Sequence, residues 1–450
     1  MKLLFAHYRV GQTDGVSLEM DKWRRVLESM GHTCLYLARN PSPVTDFVID
    51  GMYYLGEENR AIVDNAYRGA CTMDEAELRG RIYAAADEIA QRLIRIVRDN
   101  DIDVVIPNNI WSLGWHLPCA VAFTTAAEAL PNVRFIGHNH DFYWERTLYS
   151  SPAYPFVREI LAACCPPAGK NVRHAVINRI AQEELRRRRG IEATVVPNVY
   201  DFEARPWEKD AYNADLRARY GIGEDDIVLL QATRIGERKA IELAVRTIAR
   251  MPAYLRTFAG RPLYDGRIYS GRKPVFVLAG MDESLGGGYF DRLKALMAEL
   301  DVDYRYIGGD VAYSRGTADD GRKLYSLFDT YTMCDAVTYP SVLEGWGNQL
   351  LEAMFAKKPV LYYEYPVFKT DIRAAGFEGI SLGGTYCERD GLADIDGPVF
   401  DTCAGALTNL LFDAAAYRRQ TEGNFAVGRR NFSFAALRDK LVRLTEDEWN

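Results

Sequence analysis

Short apolar runs alternate along the chain with longer stretches in which apolar residues recur every three or four positions. In the first half the runs are residues 2–6, 33–37, 103–107, 133–137, 175–178 and 194–196. Helical patterns lie between them at about 16–30, closed by Gly31, and at about 75–100. A glycine after the last periodic residue is a natural stop, because it enters the left-handed region without a Cβ clash. Near-continuous apolar strands are those buried on both faces, so the pattern predicts a parallel sheet covered by helices on each side. After Pro197-Asn198 and a polar connection over 200–215 the pattern restarts. Strands are expected at 226–232, 274–279, 304–308, 336–340 and 359–363, and a final helix over 432–449. The chain therefore reads as two α/β domains, 1–200 and 201–425, with a closing segment at 426–450.

A length of 450 residues suits that division. The formal net charge of -7 excludes the chain-wide basic footprint of a nucleic-acid binder, while a few local cations can still hold an anionic ligand. No apolar run approaches the roughly 18–20 residues that span a bilayer, and the opening run is too short for a signal-peptide core. The expectation is a cytoplasmic protein with no integral membrane segment; a homo-oligomer is left open. Eight cysteines, scattered apart from Cys164-Cys165, lack metal-ligand spacing and read as reduced thiols. The run Arg186-Arg187-Arg188-Arg189 reads as the solvated end of a helix, ahead of an anionic-membrane contact.

Open parallel sheets bind ligands at the carboxyl ends of their strands. One such end is Tyr339-Pro340-Ser341-Val342-Leu343-Glu344-Gly345-Trp346-Gly347-Asn348, with Glu352 further on. A helix starting near Asn348 would aim its free N–H groups and positive dipole end at the loop, which makes an anion site. Gly345 and Gly347 would allow a phosphate to approach the backbone closely. Glu344 and Glu352 are acceptor-only groups with two oxygens each. They suit the hydroxyls of a sugar and a ribose on either side of a diphosphate. The plainer alternative is a turn with two solvated acids. The second such segment, 229–240, places Arg234 at a strand end and Lys239 five positions on. Two cations there could bind a diphosphate and neutralise the charge of a departing one, or could be surface residues.

Together these segments resemble the retaining family-4 glycosyltransferases. The match rests on Arg234 and Lys239 in one loop, on Glu344 and Glu352 with seven residues between them, and on the Gly and Trp after the first Glu. Pro197-Asn198 at the domain junction and Phe432-Ser433 before a terminal helix fit as well. The resemblance implies a GT-B architecture, two Rossmann-like parallel-sheet domains facing across a cleft, with the last helix crossing back to the first domain. It implies a hexosyltransferase, retaining and metal-independent, that uses a nucleotide diphosphate sugar and no separate cofactor. Glucose or mannose is the expected sugar, and a small soluble sugar-like or glycerate-like molecule the acceptor. Arg234, Lys239, Glu344 and His138 would carry the chemistry. Gly15, Gly309, Gly345, Trp346, Gly347, Asn348 and Glu352 would complete the donor site. A nucleotide-sugar epimerase of the same fold, or a non-catalytic nucleotide-sugar binder, is the alternative.

The N-terminal half carries less distinctive signals. Gly11-Gln12-Thr13-Asp14-Gly15 lacks the adjacent glycine pair common in that family and fails the Gly-x-Gly-x-x-Gly pattern of dinucleotide enzymes. His138-Asn139-His140-Asp141-Phe142-Tyr143-Trp144-Glu145-Arg146 follows an expected strand, so its polar groups are expected at the cleft. The resemblance points to Asp141, Tyr143 and Arg146 as acceptor contacts. A metal site from His138, His140 and Asp141 is the lesser reading. Asn108, Asn109, Trp111 and His116 follow another strand end. Trp111 could pack on a sugar face, or it could belong to the core.

Overall fold

The computed structural model describes residues 1–11, 15–283 and 288–446. The chain forms two compact units, Met1–Val199 with Phe434–Asn450, and Tyr200–Ser433. Unit 1 is built on β1 (Lys2–Ala6), β2 (Thr33–Ala38), β3 (Phe47–Val48), β4 (Val104–Pro107), β5 (Arg134–Asn139), β6 (Val172–Val176) and β7 (Thr194–Val195). All pairs are parallel, in the order β3-β2-β1-β4-β5-β6-β7. Alternation along β1 shows why its run is apolar throughout. Leu3 and Phe5 enter one core, and Leu4 and Ala6 enter the core on the opposite face. Helix Gly15–Ser29 buries Met20, Trp23, Val26 and Leu27 on the first face, joined by Leu437, Leu441 and Leu444 of helix Phe434–Thr445. Helix Glu75–Asp99 covers the second, its start fixed by the Asp74 carboxylate accepting from Glu77 N at 2.8 Å.

Unit 2 contains β8 (Val228–Gln231), β9 (Val275–Leu278) and β10 (Asp303–Tyr306), then β11 (Val311–Ala312), β12 (Gly316–Thr317) and β13 (Lys323–Ser326). They are followed by β14 (Ala336–Tyr339), β15 (Val360–Tyr362) and β16 (Ile380–Ser381). The main sheet is parallel, in the order β10-β9-β8-β14-β15-β16. In both sheets the chain steps outward from its first strand and later crosses back beside it. This makes a switch point between β1 and β4 in unit 1 and between β8 and β14 in unit 2.

Several boundaries differ from expectation. β5 runs on to Asn139, because His138 and Asn139 pair with Ala175 and Val176 of β6. β6 begins at Val172, and Asn178 instead caps helix Arg179–Arg189, accepting from Ala181 N at 2.7 Å. The expected break after residue 425 falls inside helix Ala414–Asn431, and the units divide at Ser433. Among the described residues no helix is long and apolar enough to cross a membrane.

Candidate functional site

In unit 2 the loops leaving β8 and β14 emerge side by side, because those strands are neighbours. Val342 N donates to Arg238 O at 3.0 Å, and Arg238 Nη1 donates to Leu343 O at 3.3 Å. These bonds set Glu344 between two cations. Its Oε2 accepts from Arg238 Nη1 at 2.9 Å and its Oε1 accepts from Lys239 Nζ. Only 8% of the Lys239 side chain and 10% of that of Glu344 is exposed. Burial alone would raise the Glu344 carboxyl, but Lys239 and Arg238 together hold it below its ordinary value. Burial draws the Lys239 ammonium down, against the opposing pull of Glu344. Arg234 stands apart from this trio, half exposed and paired with Glu283. Arg238 was not singled out from the sequence. Two adjacent cations look alike in one dimension, and the partner that separates them is far along the chain.

The rest of the loop is held by packing. Gly347 has φ +133°, and a Cβ there would lie 2.2 Å from Tyr365 Oη. That hydroxyl donates to Trp346 O at 2.5 Å. Trp346 is buried against Phe432, ring centroids 5.4 Å apart, so its indole is part of the core and only its backbone is available to a ligand. Helix Asn348–Phe355 starts next, with Glu352 one turn in. Glu352 is half-buried, and its Oε2 accepts from the buried Tyr331 hydroxyl at 2.6 Å, so it is more than a surface charge. Across the neighbouring strand ends Gly280 is required by contact, since a Cβ would sit 1.9 Å from Thr233 O. Gly309 lies in an exposed turn after β10 with open space where a Cβ would point.

In unit 1 the expected acceptor residues divide into two groups. Asn109 Oδ1 accepts from Ser112 Oγ at 3.1 Å and His140 N at 2.8 Å, and its Nδ2 donates to Asp141 Oδ1 at 3.3 Å. Asp141 Oδ2 in turn accepts from Arg146 Nε at 2.9 Å. Asn109, Asp141 and Arg146 thus form one polar chain, with Tyr143 half-buried beside it, its N donating to Ser112 O at 2.9 Å. Trp111 is fully buried between Phe135 and His174 and presents no face to a sugar; it is a core residue. His138 is not in a loop. It lies within β5 because Asn108, just past β4, bridges to it and keeps the pairing going. Its ring is buried, stacked on Trp23 at 4.1 Å, with Nδ1 2.9 Å from Asn108 Oδ1. Burial holds the imidazole well below its ordinary pKa, so it is neutral. His116 Nδ1 accepts from Cys119 N at 3.1 Å at the start of helix Leu117–Ala129, and burial pushes it down to about 4.

Gly15 opens its helix, while Gln12, Thr13 and Asp14 lie outside the described residues. The arginine run is not simply solvated. Glu184 takes Arg187 and Arg188, and Arg189 donates to Leu161 O at 3.2 Å and Cys165 O at 3.0 Å, closing helix Pro155–Cys164. Among the described residues no three His, Cys, Asp or Glu side chains gather where they could hold a metal ion.

Residues 213–381 match the family described as "Glycosyl transferases group 1". The chain is 36% identical over 437 residues to a protein of Petrotoga mobilis named mannosylglucosylglycerate synthase, covering 96% of this chain and 98% of that one. It is 38% identical over 445 residues to a Thermotoga maritima protein of the same name, covering 98% and 99%. Among solved structures, sucrose-phosphate synthase from Thermosynechococcus elongatus aligns over 98% of both chains with a TM-score of 0.57 at 13% identity, a likeness of fold.

Proposed function

This chain belongs to the group 1 glycosyltransferases of GT-B fold, and from that premise we propose that it moves a mannosyl group from a nucleoside diphosphate sugar to a hydroxyl of a glucosylglycerate-like acceptor, with retention of anomeric configuration. The transferase activity is the family's. Mannose and the glycerate-bearing acceptor are supported by the names of the two relatives.

The observation that carries the reading is the trio Arg238, Lys239 and Glu344 beside the start of helix Asn348–Phe355, at the switch point of unit 2. A diphosphate entering here would take over the two cations, with Arg234 as a third and the amides near Gly347 and Asn348 as further donors. Glu344, released from its partners, would turn to hydroxyls of the sugar. Glu352, steadied by Tyr331, would hold the ribose. As the sugar–phosphate bond loosens, charge grows on the leaving diphosphate, and Arg238 and Lys239 stabilise it more than the ground state. Fixed side-chain cations do here what a bound metal does elsewhere, which supports a metal-independent reaction. In the front-face course the acceptor hydroxyl attacks from the side the phosphate leaves, and that phosphate takes the proton. Asn109, Asp141, Tyr143 and Arg146 would bind acceptor hydroxyls. His138, buried and neutral, would position Asn108 and not touch substrate.

Nucleotide binding tests this site. In EDTA, one among GDP, UDP and ADP should raise the melting temperature of the protein, since a ligand of the folded state stabilises it. Lys239→Ala and Glu352→Ala should each weaken that nucleotide roughly 10- to 100-fold, as loss of a hydrogen bond to a charged group implies. Wild-type affinity in both variants would remove the assignment.

A further inference from the structure

Buried polar groups in folded proteins are almost always paired, so a cluster of unpaired ones asks for a reason. One such cluster lies in unit 1 at the carboxyl ends of β1, β2 and β4, the switch-point edge of its sheet. Tyr8, just past β1, is 2% exposed, and its hydroxyl, whose polar neighbour is Trp115, donates to no protein acceptor. Its ring is enclosed by Tyr54 at 5.5 Å, Trp115 at 5.6 Å and His116 at 5.7 Å. Trp115 Nε1 is buried beside that hydroxyl, short of a well-formed hydrogen bond to it. Asn59 is 4% exposed; its Nδ2 donates to Tyr54 O at 2.8 Å and Trp115 O at 2.9 Å, which leaves Oδ1 unpartnered. Arg39, the first residue after β2, lies over the Tyr53 ring at 4.4 Å. Its Nε is buried without a partner, and among the described residues its guanidinium meets no carboxylate. Its backbone N donates to Tyr8 O at 3.3 Å, so the two main chains meet at this edge of the sheet.

The chemistry of this set is specific. Tyr8 Oη, Trp115 Nε1 and the Arg39 guanidinium are donors, one of them permanently charged. Asn59 Oδ1 is an acceptor. Three donors with a cation suit an acceptor-only anion, and a planar guanidinium suits a carboxylate. The lone acceptor suits a hydroxyl next to that carboxylate. A glycerate moiety carries both. The polar chain through Asp141 cannot play this part, because Arg146 is already neutralised there and the Asp141 carboxylate would repel another.

Resting on the transferase reading above, we propose that Arg39, Tyr8 and Trp115 bind the carboxylate of the acceptor, with Asn59 on its neighbouring hydroxyl. This site makes the enzyme selective for an acidic acceptor. The test compares glucosylglycerate with its uncharged counterpart glucosylglycerol as acceptors for wild type, Arg39→Met, Arg39→Lys and Tyr8→Phe. Wild type should prefer the acid. In Arg39→Met the ratio of kcat/KM between the two acceptors should fall roughly 10- to 100-fold, through KM, with the donor KM unmoved. Arg39→Lys should restore part of the ratio. Tyr8→Phe should melt close to wild type, since its hydroxyl donates to no protein acceptor, yet should raise the KM for glucosylglycerate. Titration calorimetry with D-glycerate should show binding to wild type that Arg39→Met loses. An unchanged acceptor ratio in both folded Arg39 variants overturns the proposal and leaves the transferase reading standing. A wild-type enzyme that uses neither acceptor while hydrolysing its donor overturns the acceptor reading, and this site with it.

Discussion

Glu344 accepts from both Arg238 and Lys239, so on the proposed reading donor binding and protein stability draw on the same pair of cations. Replacing it separates the two roles. Glu344→Gln leaves the cations without a carboxylate, and breaking a mostly buried pair is costly, so the melting temperature should fall. The nucleoside diphosphate should bind at least as tightly as to wild type, because the anion no longer competes. Turnover should drop by about tenfold or more if the carboxylate serves the sugar. Calorimetry alongside steady-state kinetics reads both, and weakened nucleotide binding would contradict the exchange. Lys239 and Glu344 were singled out because each follows a strand end at telling spacing. Arg238 was not, since its partner lies 106 positions away and only the adjacency of β8 and β14 brings them together. Trp111 took the core alternative, and His138 was placed in a loop for a related reason. A strand's end is set by its neighbour's hydrogen bonds, and the bridge from Asn108 to His138 carries β5 past its apolar run.

At the scale of elements the proposed donor site depends on one turn into helix Asn348–Phe355. Gly347→Ala would place a Cβ at φ +133°, and against Tyr365 Oη. Such strain costs on the order of 1–3 kcal/mol before the clash is counted, so the loop should rearrange. Nucleotide binding should fall by roughly tenfold or more, while far-UV circular dichroism stays close to wild type. Gly347→Ala with wild-type affinity would show that this turn does not shape the site. The main strands and long helices were readable because buried strands of parallel sheets are apolar throughout and long helices repeat. β3, β11, β12 and β16 were not, being only two residues each, and β13 was missed because Lys323–Ser326 mixes polar and apolar residues without an apolar run.

On the scale of the whole molecule the histidines are distributed unevenly. All six occur before residue 199, in unit 1. Burial pushes His116 and His174 down to about 4, and His138 well below its ordinary value. In an unfolded chain these groups take protons near pH 6.5. Between pH 6.5 and about 4 the unfolded state therefore binds protons that folded unit 1 refuses, and stability is lost as pH falls. His116 and His174 should each account for roughly 2–3 kcal/mol of that loss by pH 4. Hydrogen exchange from pH 7 to 4.5, corrected for intrinsic rates, should show unit 1 opening before unit 2; the reverse order would contradict this assignment. The two-unit plan was visible in the restart of the pattern after Pro197-Asn198. The return of helix Phe434–Thr445 to unit 1 came from resemblance and not from periodicity, because an amphipathic stripe does not name the core it covers.

Hexosyl transfer itself is read from the products. The purified protein would be incubated in EDTA with GDP-, UDP- or ADP-mannose and with glucosylglycerate, then examined by mass spectrometry and NMR. The expected result is one hexose added to the acceptor for each nucleoside diphosphate released, the donor's anomeric configuration kept, and no product from Lys239→Ala. Addition with inverted configuration would refute retention. Nucleotide release with no glycosylated product would refute the proposed acceptor class.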